Sequence, residues 1–507
     1  MTLCKSAVGP LLLAALLNLS PPAYGALRST DCAGLPKGAV KLSLEEFSLP
    51  GNEKMGMAGL GVSHNFTENL SLGVGSWMAV RGERGGFITL GISGDLNYPI
   101  SETFGVESGL FVGAGGGRGG YTLSGGGLML HTHAGLTYAA GSVGRVALGV
   151  SAVDFPNGGT ISSVQPYLSF TMPFSSLLES GWSHQSVDGT QKWRVTPKVH
   201  SLAVVVRGLR VSQGVLTDTG GAQGNFTLLG VEWRSYMNES WYAKLETEGA
   251  AGGNSTGYMQ ILAGGGMRLP LTEKLSASAD LSVGGGGGGG VATGGGLLFD
   301  GSIGMQYFLT SHLFADVSGA WLTAHKGSFE ATSLAFKLGY QMGGKSSSHH
   351  DGAGSAPADV RIRAVNQTYF QASDSWRSHH ADQRVDNLGV QVDYFLERDW
   401  YATGQGLAAY SGDAGAYMTG LIGAGCRKKV DNHIFLNGEA LGGAAGGGGL
   451  AMGSGLVWQG NIGVGYEINP SLSALATAGR LQAVNGDFKA NVVGLSLNYL
   501  FKYHPEQ

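Results

Sequence analysis

The sequence predicts an all-β chain: an antiparallel, up-and-down transmembrane β-barrel architecture in three repeats of about eight strands. Three observations predict it. One amphipathic strand occurs three times, landmarks around it recur in a fixed order, and the connections alternate between short and long.

The strand runs from Gly294 to Leu309, GGGLLFDGSIGMQYFL. Every second residue puts Leu297, Phe299, Gly301, Ile303, Met305 and Tyr307 on one face and Leu298, Asp300, Ser302, Gly304 and Gln306 on the other. Gly126 to Tyr138 (GGLMLHTHAGLTY) and Ser454 to Tyr466 (SGLVWQGNIGVGY) repeat it, with a leucine ten residues before the tyrosine and a glycine three before it.

The landmarks come in the same order each time. A Gly-Val strand stands at Gly61-Val62, Gly230-Val231 and Gly389-Val390. A strand with a central acid then runs into glycines, at Glu107, Asp280 and Glu439. A closing strand ends at Phe174, Met342 and Phe501. The repeats therefore span 39–174, 197–342 and 358–501, joined by linkers 175–196 and 343–357. In the second repeat the strands fall near 198–207, 226–236, 240–249, 256–269, 273–284, 295–308, 311–321 and 329–342. None carries the 3.6-residue stripe of an amphipathic helix. Their length suits a tilted strand crossing a bilayer, which needs about 9–11 residues.

Composition narrows the class. Glycine accounts for 89 of 507 residues, charged residues for only 13%, and the net charge is -4. That balance offers no basic field for nucleic acid, and regular apolar alternation excludes a low-complexity disordered chain. Residues 1–25 read as a cleaved secretory signal peptide: Lys5, an apolar core Leu11 to Leu19, then small residues around Ala23 and Gly25. Cys32 and Cys426 remain, far apart in sequence, and no disulfide between them is expected.

Short connections MNES, PLTEK and LTSH in the second repeat, and LERD, KKVDN and INPS in the third, lie at one end of the strands. Longer glycine-rich loops lie at the other. Outer-membrane barrels show this asymmetry, with the short turns in the periplasm. The apolar faces carry Leu334, Phe336, Leu338 and Tyr340, or Val493, Leu495, Leu497 and Tyr499, while Trp241 and Trp400 stand beside short turns as interfacial aromatics would. A secreted β-sandwich also alternates, but its polar face would be rich in charge, and here that face is rich in glycine.

A leader, eight-strand meanders with short turns at one end, and a final strand NYLF (Asn498 to Phe501) make the chain resemble small bacterial outer-membrane β-barrel proteins. The resemblance is architectural and covers nearly all of the mature chain. It implies a Gram-negative envelope protein, seated in outer-membrane lipid and delivered by periplasmic chaperones and the barrel-assembly machinery. Long polar linkers favour three tandem barrels over one barrel of 22–24 strands, which would need only short turns at those points.

The functional candidates are polar residues on the face assigned to the lumen: Glu107, His131, His133, Arg268, Asp280, Asp300, Arg427, Glu439 and Gln459. Acids and arginines inside a barrel need partners or water, so a lumen salt-bridge network is the first expectation and a charge filter for a small solute the second. His131 and His133 could grip a metal ion, but the equivalent positions Asp300/Ser302 and Gln459/Asn461 keep the polarity without the ligand chemistry. The runs Gly284 to Gly290 and Gly446 to Gly449 lack the Lys-Ser/Thr and following helix of a phosphate loop, and read as flexible loops or strand extensions. No GxSxG elbow occurs. The expectation is a non-enzymatic barrel protein without cofactor, in a structural or surface role, with porin-like passive passage second. A lipid-modifying enzyme and a surface adhesin are the alternatives.

Overall fold

Strand pairing is nearest-neighbour along the chain, and the eighth strand of each repeat turns back to bond its first. The computed structural model describes residues 38–141, 144–174, 199–342, 359–380 and 383–501, which form three closed antiparallel barrels. Residues 1–25, Cys32 and both linkers lie outside the described residues.

Barrel 1 comprises β1 (Gly38–Ser48), β2 (Lys54–Asn65), β3 (Leu70–Arg81), β4 (Ile88–Pro99), β5 (Phe104–Gly116), β6 (Leu128–Ala139), β7 (Arg145–Asp154) and β8 (Ser162–Phe174). Barrel 2 comprises β9 (His200–Val211), β10 (Phe226–Tyr236), β11 (Trp241–Gly253), β12 (Met259–Pro270), β13 (Leu275–Gly287), β14 (Leu297–Phe308), β15 (Leu313–Ala324) and β16 (Glu330–Met342). Barrel 3 comprises β17 (Val360–Gln371), β18 (Val385–Phe395), β19 (Trp400–Ser411), β20 (Met418–Lys429), β21 (Ile434–Gly446), β22 (Leu456–Glu467), β23 (Leu472–Ala483) and β24 (Lys489–Phe501).

The closing registers are Gly38 against Phe174, His200 against Met342 and Val360 against Phe501. They exclude a single barrel of 22–24 strands. Closure also leaves no strand edge with unpaired N–H and C=O groups, each of which costs several kcal/mol in hydrocarbon.

Local sequence makes the tight turns. The second residue of six of them is Thr67, Ser101, Asn238, Thr272, Thr310 or Asn469, and its side-chain oxygen accepts the backbone N–H three residues on, at 2.8–3.0 Å. That bond mimics a backbone turn and ends one strand where the next begins. Tyr138, Tyr307 and Tyr466 stand exposed at this end, with Trp241 and Trp400.

Outward faces carry a band of bare apolar side chains, among them Leu136, Leu148, Leu281, Ile303, Ile462 and Leu495. A contiguous apolar girdle of this size marks a surface that meets something other than water. Where barrels touch one another the band is covered: Met78, Ile88 and Ile261 are buried, with Leu245, Met259 and Met418 partly buried against them.

Ile303 lies mid-strand and is 71% exposed. Ile303→Arg is expected to lower stability by about 2–4 kcal/mol in urea unfolding from lipid vesicles, the depth-dependent cost at a bilayer midplane. In a water-facing strand the same change would stay within about 0.5 kcal/mol.

Candidate functional site

The interior of each barrel has two layers. Towards the long-loop end sits an apolar plug. In barrel 1 it includes Phe47, Trp77, Phe87, Phe111 and Phe155, in barrel 2 Phe226, Tyr258, Leu298 and Phe329, and in barrel 3 Tyr369, Trp376, Tyr417 and Phe488. Loop residues drive it. Ile161, Phe329 and Phe488, each just before the eighth strand, fold inward and are buried. Burying such a side chain contributes about 1.5–3 kcal/mol.

Beneath the plug lies a layer of ion pairs in which the first strand supplies the central cation. Lys41 of β1 meets Asp95 at 2.8 Å and Glu107 at 3.2 Å. Arg207 of β9 meets Glu246, Glu248 at 3.0 Å and Asp300 at 3.2 Å. Arg363 of β17 meets Asp393 at 2.6 Å and Glu439 at 2.5 Å. Barrel 2 adds a second cluster, with Glu232 in ion pairs to Arg234 and Lys337 at 2.7 Å each.

A tyrosine hydroxyl also donates to the repeated acid in every barrel. Tyr242 bonds Asp280 at 2.5 Å, Tyr401 bonds Glu439 at 2.8 Å, and Tyr167 bonds Glu107 at 2.8 Å. Tyr242 and Tyr401 come from third strands and lie against Gly266 and Gly425 directly opposite. A Cβ on either glycine would fall within 2.7 Å of the phenol ring, so only glycine admits the tyrosine there. In barrel 1 that third-strand position is Ser71, and the tyrosine comes from β8 instead.

The register revises the landmark reading. Asp280 faces Gly266 and Glu439 faces Gly425, whereas the equivalent of Gly266 in barrel 1 is Asp95, facing Gly109. Acid and glycine have changed strands in barrel 1, and Glu107 sits two residues nearer the turn than its supposed equivalents. His131 pairs with Glu45 at 2.8 Å and His133 with Asp95 at 3.2 Å, so the two imidazoles serve different carboxylates. Gln459 bonds Asn461 at 3.1 Å and Gln367 at 3.3 Å. Asp300 belongs to the Arg207 cluster.

Arg268 and Arg427 lie elsewhere. Both sit at the turn-side mouth, Arg268 over the Tyr236 ring at 4.6 Å and Arg427 over Phe435 at 4.2 Å, where Arg427 also pairs with Glu467. Neither forms an ion pair with Asp280 or Glu439 among the described residues, because the fourth strand carries them past the ionic layer. The partners that sequence reasoning missed, Lys41, Arg207, Arg363, Tyr242 and Tyr401, were findable by asking which inward position of a neighbouring strand could neutralise each acid.

Side chains fill the space left by inward glycines. A lumen cavity in barrel 1 measures about 50 Å³ and is lined by Lys41, Trp77, Asp95, His131, His133 and Tyr167. At about 10–15 Å³ per water it has room for a few waters and for no sugar or amino acid.

The long loops carry their own pairs. Arg84 donates to Glu53 at 2.8 and 2.5 Å, bracing two loops of barrel 1, and these bonds hold the Glu53 carboxyl below its usual range. His379 and His380, in the first loop of barrel 3, pack on Tyr121 of barrel 1 with ring centroids 5.0 and 5.3 Å away.

No protein-family model and no curated protein matches the chain. Among solved structures it is similar to the siderophore receptor PirA from Acinetobacter baumannii, at 10% identity and a TM-score of 0.29 over 92% of this chain and 80% of that one. It is similar to the ferric enterobactin receptor of Pseudomonas aeruginosa at 11% identity and a TM-score of 0.28 over 92% and 81%. A designed transmembrane β-barrel aligns at 12% identity and a TM-score of 0.20, over 28% of this chain and 95% of the design. Likenesses this distant carry no argument about what this chain does.

Arg207→Met is expected to destabilise the protein by about 3–5 kcal/mol, because three buried carboxylates lose the guanidinium they share. Arg268→Met, at the mouth, should cost about 1 kcal/mol or less by the same vesicle-based urea unfolding. A double-mutant cycle on Glu53 and Arg84 should give a coupling of about 0.2–1 kcal/mol at pH 7. The folded carboxyl titrates lower than the unfolded one, so this coupling is present above about pH 4.3 and fades as pH falls through the folded value.

Proposed function

We propose that the chain is a non-enzymatic outer-membrane protein whose three barrels are occluded and serve as a rigid platform for the long-loop face. The observation that carries this reading is the two-layer seal: an apolar plug above a paired ionic layer in every barrel. A charge filter needs charges that face a water column, whereas here the acids meet their own cations and tyrosines across the lumen. The seal therefore favours a structural or surface role over passive passage.

Outer-membrane residence is supported by the bare apolar girdle, the aromatic turn ends and strand closure. Outer-membrane lipid, periplasmic chaperones and the barrel-assembly machinery are the partners this location brings, and the leader 1–25 is the route to it. The non-enzymatic reading rests on the interior chemistry. His131, His133, Glu45, Asp95 and Glu107 are committed to structural pairs inside barrel 1.

Planar-bilayer recording tests the seal. Purified protein should give no stepwise conductance, while disrupting the plug by Phe329→Ala with Leu298→Ala should raise small openings. Large unitary steps from the native protein would overturn the proposal. A heat-modifiable band in the outer-membrane fraction is the matching test of location, and a soluble, heat-insensitive chain would end this reading.

A further inference from the structure

The contacts between barrels repeat with the same threefold order as the chain. β3 packs on β13, β11 on β21 and β19 on β5, so the third strand of each barrel meets the fifth strand of another and the ring closes. Such head-to-tail contacts form a closed assembly only when the rotation between units fits. Loops continue the pattern. A Cβ on Gly116 would lie 2.3 Å from the Gly415 carbonyl, one on Gly287 would lie 2.6 Å from the Gly86 nitrogen, and one on Gly446 would lie 2.4 Å from the Gly257 nitrogen. Backbone thus rests on backbone at all three junctions. Gly85 N–H donates to the Gly294 carbonyl at 2.8 Å, Gly415 N–H to the Gly125 carbonyl at 3.0 Å, and Thr256 Oγ1 to the Gly453 carbonyl.

The side chains at these contacts are matched in size. Register makes Met78, Gly249 and Ala408 equivalent, since they face Ile88, Met259 and Met418, the first residues of the three fourth strands. Register likewise makes Ala114, Gly285 and Ala444 equivalent on the fifth strands. The large Met78 meets Gly285, where a Cβ would come 2.7 Å from its Cγ, and the bare Gly249 meets Ala444. Ala408 and Ala114, both fully buried, occupy the equivalent positions where β19 packs on β5. In lipid there is no hydrophobic drive to press two apolar walls together, so close packing has to hold them. Overfilling one such contact is destabilising, while moving volume from one side to the other is tolerated.

We infer that each barrel recognises the next through these keyed faces, so the assembly is held by barrel–barrel contact and the linkers act only as tethers. The partner each face fits is another eight-stranded barrel of this same chain, in a fixed order around the ring. The inference does not depend on whether any lumen conducts.

The test uses the full chain with a protease site placed in 343–357, cut after insertion into membranes and extraction in mild detergent. The cut native protein should still migrate as one species. Gly249→Met with Ala408→Met overfills both contacts of barrel 3 and should release it after cutting. Adding Ala444→Gly and Ala114→Gly recreates the Met78–Gly285 arrangement at both places and should restore co-migration. Separation of the cut native protein, or retention of barrel 3 in the double-methionine chain, would overturn the inference. If that chain shows no heat-modifiable band, the single variants are compared by the detergent concentration that frees barrel 3. A lower concentration than native supports keyed contact, and an unchanged one refutes it.

Discussion

A carboxylate inside an eight-stranded barrel has lipid behind the wall and little water in front, so its counter-charge must come from the same barrel. That constraint sets the interior. Glu439 meets Arg363, which reaches across from β17, and Tyr401, which leans over Gly425 to donate. Each link needs another: the tyrosine needs the glycine, the glycine needs a filled lumen, and the filled lumen needs the cation. Removing one partner of such a set costs more than the pair contributes, because the remaining charge stays buried.

The exterior and the interior obey different rules, and the repeats show it. Lipid asks the same of every outward position, so Leu136, Ile303 and Ile462 look alike from the sequence alone. Inside, each barrel solves its own charge problem. Lys41 and Arg363 come from equivalent positions of the first strand, Arg207 comes from four residues further along it, and barrel 1 moves an acid from the fifth strand to the fourth. The repeated architecture therefore carries an interior chemistry that is repeated only in part.

This division also explains what was legible beforehand. Period-two alternation fixes an outward face and hence the strands, and the lengths of the connections point to three closures. The ionic partners were not legible, because alternation says which side a residue faces but not which residue of a neighbouring strand lies at its level. Glu107 illustrates the gap: it sits on the right strand and face but one inward step from Asp280. The glycine runs, read as flexible loops or strand extensions, do extend strands, but their packing role was not legible. Gly284 to Gly287 lie in β13, and Gly285 and Gly287 take their meaning from Met78 and Gly86 in another barrel. Nothing local reports a contact made two hundred residues away.

Joining three barrels in one polypeptide has a genetic consequence. In a trimer of identical subunits every interface carries the same residue pair, so a mutation strikes all three at once and a partner change must suit all three. Here the residues at the equivalent positions already differ: Met78 and Gly285, Gly249 and Ala444, Ala408 and Ala114. Covalent linkage lets one junction drift while the other two keep the ring intact, and thereby turns a symmetric assembly into three separately evolvable seams.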